Sequence, residues 1–331
     1  MSENIIEYWR KCSIEELFKL QSMKKVWPIW EPIINSYITP LNANNLFNLG
    51  DHLYDIFQST NTKSSGATTT ESEAQSDVST GGTVWEALVC WYLNLCLIGR
   101  NTIVVKHKRQ LLPQCISDAI TVKYGSTTSN TESDLIAITF PDNPMLSCDK
   151  DALVLTASDG NPVKLYGPRG GKYKLTDVIN AITDHLFNEV EIHIIQCKTN
   201  WNDNAQIPML WDMVYSAKGF KGGIKVGTNG KVINPERFSY SFVTVPTVKP
   251  TNFTPTSVAV KRVENITGGN YWGLPSKSGV ANNIKEMLGR NLENGSSIPI
   301  LSTLNIETCK SDFNILYSYF KMLTTSKGPT T

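Results

Sequence analysis

Gln196-Cys197-Lys198 closes an apolar run that begins at Glu191, and Ser133-Asp134-Leu135-Ile136 opens another further upstream. Side chains alternate across a strand, so Gln196 and Lys198 project from one face while Cys197 turns to the other. If the two runs are neighbouring strands, an amide oxygen, an ammonium and an Asp carboxylate meet at one point. Such a set can hold a hard divalent cation against a phosphate and orient a water for attack. Phosphodiester cleavage is the chemistry to which this pattern points. Each residue also has a plain structural use: Gln196 and Lys198 as solvated edge-strand positions, Asp134 as a turn former at a strand start.

The chain of 331 residues, 40% hydrophobic and 9% aromatic, is long enough to bury one large core or two modest ones. A net charge of +1, from 31 basic and 30 acidic residues, makes any nucleic-acid surface a local patch. Seven scattered cysteines without a Cys-x-x-Cys pair suggest neither a disulfide framework nor a zinc site. With no apolar run long enough to span a bilayer and no leader-like N-terminus, a cytoplasmic protein is expected.

Apolar spacing predicts an N-terminal helical region over residues 1–58, with Ser13 and Glu16 in a capping-box pattern. Residues 59–82, rich in Ser, Thr and Gly, read as a polar linker or loop. A buried helix is expected from Val84 to Leu97, launched by Gly81-Gly82 and capped by Thr83 with Glu86. Strands follow at 102–105, 119–124, 134–140, 152–156, 163–166, 191–198, 238–245 and 258–263, and helices at about 175–186, 205–217 and 283–292. The core then spans 83–323 with an inserted lobe at about 141–188, and 324–331 form a tail. This order predicts an α/β fold, a mixed central sheet flanked by helices.

The helix bearing Glu86, the strand start at Asp134 and the Gln196-Cys197-Lys198 triplet together resemble the PD-(D/E)XK nuclease superfamily, and within it the type II restriction endonucleases. The likeness covers roughly Val84 to Val245. Ser133 stands where the motif has Pro, and Gln196 where it has an acidic residue; some restriction enzymes of that superfamily resemble this chain in carrying Gln or Asn there. The resemblance implies a restriction-endonuclease-like sheet. It also implies Mg²⁺ held by Asp134, Gln196 and the main-chain carbonyl of Cys197, a water-activating role for Lys198, and an outer role for Glu86. It further implies sequence-specific cleavage of double-stranded DNA to 5′-phosphate ends by a homodimer, with a cognate DNA methyltransferase protecting the same site. Rival expectations are a structure-specific repair nuclease and a catalytically silent DNA-binding protein of the same fold.

Asn200 and Asn202, in the polar loop after the triplet, are candidates for base or phosphate contact. Lys108 and Arg109 beside Lys106, Arg169 and Lys172 around Gly170-Gly171, and Lys221 near Lys218 and Lys225 are candidate phosphate contacts. The Gly227-Thr228-Asn229-Gly230-Lys231 segment lacks the spacing and the following Ser or Thr of a nucleotide-hydrolysing loop. The four histidines show neither metal spacing nor a plausible pairing with a nucleophilic Ser or Cys, and His193 reads as a plain strand residue.

Overall fold

The computed structural model describes residues 3–60, 71–106, 110–124, 126–130, 133–198, 224–234 and 237–244, with Tyr271, Trp272, Ile284, Lys285, Leu288, Leu292, Phe313 and residues 315–322. A mixed sheet carries helices on both faces. Strands β1 (Thr102–Lys106), β4 (Leu135–Thr139) and β5 (Glu191–Lys198) pair antiparallel in that spatial order. Strand β7 (Phe238–Thr244) then joins β5 in parallel, and the two-residue β8 (Tyr271–Trp272) joins β7. A second, antiparallel sheet has the order β3 (Thr127–Asn130), β2 (Thr121–Tyr124), β6 (Ile224–Val226).

Strand alternation divides the core. Val104, Leu135, Ala137, Ile195, Cys197 and Val243 turn toward α5 (Glu71–Cys96) and the N-terminal helices α2 (Gln21–Ile38), α3 (Ala43–Asn48) and α4 (Leu53–Gln58). Ile103, Val105, Ile136, Ile138, Ile192 and Ile194 turn toward α6 (Gln114–Ile120) and α8 (Leu175–His185). From Val84 onward helix α5 is apolar on most faces and enclosed: Trp85, Trp91 and Tyr92 are all buried. Helix α1 (Ile5–Leu17) contributes to both clusters, Ile5, Ile6 and Trp9 to one and Ile14 and Leu17 to the other.

Among the described residues the outer edge of β1 is capped at Val104 by side chains and not by a further strand. Asn94 of α5 donates to Val104 O at 2.7 Å and accepts from Val104 N at 3.2 Å, and Ser13 of α1 also donates to that oxygen. Pairing the exposed ladder groups in this way removes a template for another chain to add to. Arg10, fully buried, ties the arrangement together by donating to Asn94 Oδ1, to the Arg100 carbonyl and to Glu7, whose carboxylate also takes the Gly99 N–H.

Several expected elements shift. Ser13 lies within α1 and does not cap it; Asn4 does, accepting from Glu7 N at 2.9 Å. Helix α5 begins at Glu71, so Gly81, Gly82 and Thr83 lie inside it and Glu86 belongs to no capping box. The stretch expected as a strand at 119–124 is α6 running into β2, since Ile116, Ala119 and Ile120 recur at helical spacing against α8. Segments 152–156 and 163–166 form isolated bridges, Thr156 to Pro162 and Tyr166 to Tyr173, not strands. They sit with α7 (Pro144–Ser147) and α8 in the connection between β4 and β5. The expected helix at 205–217 and strand at 258–263 lie outside the described residues, as does most of 283–292. No helix among the described residues is long and apolar enough to cross a membrane.

Candidate active site

Asp134 occupies the bend just before β4 and is partly exposed. The β4–β5 register pairs Leu135 with Ile195, so its continuation by one step sets Asp134 opposite Gln196. The Cys197 main-chain N–H donates to Asp134 Oδ2 at 2.7 Å, joining residues 63 apart in the chain. The carboxylate is thus fixed against the middle of the triplet. A charge-assisted bond of this kind is shorter and stronger than a neutral one and locks the rotamer of the acid.

Strand β5 is unbroken from Glu191 to Lys198, so alternation puts Gln196 on the face carrying Ile192 and Ile194, and Cys197 on the α5 face. Gln196 is only 1% exposed, which leaves Asp134 as the more accessible of the two oxygen donors. Lys198 pairs through its backbone with Thr244 of β7; its side chain lies outside the described part of the structure.

Glu86, on α5, forms an ion pair with Lys106 at the end of β1, Oε2 to Nζ 2.6 Å. Both reach the Cys197 thiol electrostatically, as does Asp134, so all three charges stand at this end of the sheet. The thiol is pushed well above its usual range, by burial first and then by the carboxylates of Asp134 and Glu86, with Lys106 opposing. A buried thiol so disfavoured as thiolate is no nucleophile. Its part is to fill the α5 face beneath the carboxylate.

A hard divalent cation prefers oxygen ligands, and the Asp134 carboxylate beside the Gln196 carboxamide fits that preference. Among the described residues no group of three or more His, Cys, Asp or Glu side chains is placed to hold a metal.

The other candidates fall in different places. Arg169 and Lys172 are exposed, Arg169 at a left-handed φ of 59° in a short turn at 168–170. The connection carrying them leaves β4 after Thr139 and enters β5 at Glu191, so it is attached at the end of the sheet opposite Asp134 and Lys198. Lys108, Arg109, Asn200, Asn202 and Lys221 lie outside the described residues.

Two features escaped the sequence reading. The Glu86–Lys106 pair joins a helix to an edge strand, and its one sequence signal is that Lys106 shares strand parity with Val104, the residue that faces α5. Contrary to expectation, a histidine does pair with a serine: His193 Nδ1 lies 2.6 Å from Ser239 Oγ. His193 Nε2 lies 3.3 Å from Thr139 Oγ1 and 3.5 Å from Glu191 Oε2. The cause is the parallel β5–β7 register, which sets His193 directly beside Ser239. His193 is 4% exposed, and this network pins three strands together at the end of the sheet away from Asp134.

No family model matches this chain, and no curated protein matches it.

Proposed function

We propose that the chain is a Mg²⁺-dependent endonuclease of the type II restriction kind that cleaves double-stranded DNA. The observation that carries this reading is the bond from Cys197 N–H to Asp134, which joins the strand-start acid to the triplet across an antiparallel strand pair. A long helix, three antiparallel strands and a further strand parallel to the third also support a restriction-endonuclease-like core. That finer fold assignment is part of the proposal.

In this reading Asp134 is the main cation ligand, with the Gln196 carboxamide oxygen and the Cys197 carbonyl beside it. The cation, when bound, supplies charge stabilisation at the scissile phosphate and acidifies a water. Lys198 orients that water and offsets charge developing on the phosphate oxygens. Glu86, held by Lys106, sets the field behind the site and is placed to act indirectly. The replacement of an acid by Gln196 removes one negative charge from the ligand set, so cation affinity is expected to be low. A homodimer cutting both strands of a palindrome, a partner methyltransferase and a cytoplasmic location belong to the same proposal.

The rival of a silent DNA-binding protein is favoured by one observation, the enclosure of Gln196. Plasmid digestion separates the readings. Discrete fragments in Mg²⁺, absent in Ca²⁺ and absent for Lys198→Ala with DNA binding retained, support the restriction enzyme. Nicks confined to junctions or flaps point to a repair nuclease, and binding without product to the silent protein.

A further inference from the structure

Away from Asp134, the three-stranded sheet presents a row of directly paired residues: Thr128 on β3, Lys123 on β2 and Lys225 on β6. Strands about 4.8 Å apart make this row roughly 10 Å wide. Both lysines are exposed, and among the described residues neither makes an ion pair. Two like charges directly opposite on an antiparallel pair repel each other and weaken the sheet unless an anion lies between them.

The row forms one wall of an open cleft of about 830 Å³, faced by Ser117 and Asp118 of α6 and by the turn at 227–230. That turn is rigidly built. Gly227 has φ 93°, and a Cβ there would collide with the Lys231 carbonyl. Thr228 donates to the Asp118 carbonyl through its N–H at 2.9 Å and its hydroxyl at 3.2 Å. The one carboxylate in the wall among the described residues, Asp118, accepts from Gln114 Nε2 at 2.9 Å. Among the described residues two ammonium groups against one occupied carboxylate leave the cleft cationic, with hydroxyls from Ser117 and Thr128 on its rim.

We infer that this cleft binds phosphate groups, with Lys123 and Lys225 clamping the oxyanion between their ammonium groups and the lining hydroxyls completing its hydrogen bonds. The chemistry is shared by a nucleic-acid backbone and a free phosphate. Position favours the backbone. Asp134 follows Thr128 by six residues, which limits their separation to about 20 Å, less than one duplex turn of about 34 Å. A duplex held at Asp134 is therefore long enough to extend to the lysine row; this part rests on the nuclease reading, whereas the phosphate site does not.

The test uses the full chain, with Lys123→Gln/Lys225→Gln and, separately, Asp118→Asn. Thermal unfolding is followed with and without inorganic phosphate, and binding of a labelled duplex by anisotropy in Ca²⁺ over a series of salt concentrations. Without phosphate the double variant is expected to melt at or above the wild-type temperature, since a repulsion is removed. It should lose the phosphate-dependent rise in Tm, bind duplex at least tenfold more weakly, and show a salt slope lower by about two. Asp118→Asn should bind phosphate more tightly. Loss of the phosphate response with duplex binding intact supports the site and assigns it to a small phosphate ligand. A double variant that responds to both probes like wild type, or a wild type that responds to neither, overturns the inference. Cleavage is scored separately, so a chain that binds but does not cut removes the nuclease reading and leaves the cleft standing.

Discussion

The amide of Cys197 donates to Oδ2 of Asp134 at 2.7 Å, and this bond makes the acid both a structural and a chemical element. The two parts separate by mutation. Asp134→Asn keeps an acceptor for the amide and removes the charge, so stability should change by less than about 1 kcal/mol while Mg²⁺-dependent cleavage falls by two or more orders of magnitude. Asp134→Ala strands the amide and should cost about 1–3 kcal/mol in addition. Urea unfolding beside plasmid digestion checks both; equal stability losses for the two variants would show that the bond contributes little.

The Cys197 thiol, raised by burial and by two carboxylates, should be inert in the folded chain. Site-resolved alkylation at pH 8 is expected to leave Cys197 and Cys90 unmodified while partly exposed Cys148 reacts sooner. Burial also raises Cys90, to about 12. Glu86→Gln, by removing one of the opposing charges, should move Cys197 toward reactivity only when local opening admits reagent. Early labelling of native Cys197 would contradict the packing of β5 on α5.

The central strands were legible because Thr102–Lys106, Leu135–Thr139 and Glu191–Lys198 are dense in β-branched residues. The three-stranded sheet was largely hidden, since Thr127-Thr128-Ser129-Asn130 is short and polar and Ile224–Val226 sits between glycines. Asp134 and the triplet were found by residue type and spacing, and strand parity gave the correct face for Cys197. What single-sequence reading could not supply was register. The Glu86–Lys106 pair and the His193–Ser239 pair each depend on which residues lie side by side between elements far apart in the chain.

Arg10 is a buried cation whose partners hold α1, α5 and the edge of β1 together. Arg10→Ala leaves Glu7 and Asn94 without it and should destabilise by about 3–5 kcal/mol. Arg10→Met, which restores apolar volume, should recover part of that loss. Asn94→Leu strands the Val104 N–H, while Ser13 still donates to the Val104 carbonyl, and should also promote association through the partly uncapped β1 edge, visible by light scattering. A monomeric, fully stable Asn94→Leu protein would refute the edge-capping role.

Glu191 is held below the usual carboxylate range, first by the hydrogen bond from His193, against the penalty of burial, with smaller help from the charges of His193 and Arg237. A carboxyl whose folded pKa is depressed contributes stability that is present above its unfolded value, near 4.5, and is lost as pH falls through the lower folded value. The wild type should therefore lose this contribution only below about pH 4.5. Because the side chain is 30% exposed, solvent screening limits the contribution to under about 1 kcal/mol. Glu191→Gln should lower stability at neutral pH by a similar amount and flatten the acid limb, since no proton is then taken up at that position. Chemical unfolding from pH 3 to 7 measures the difference. Parallel acid limbs for variant and wild type would show that the His193 network does not hold Glu191 ionised.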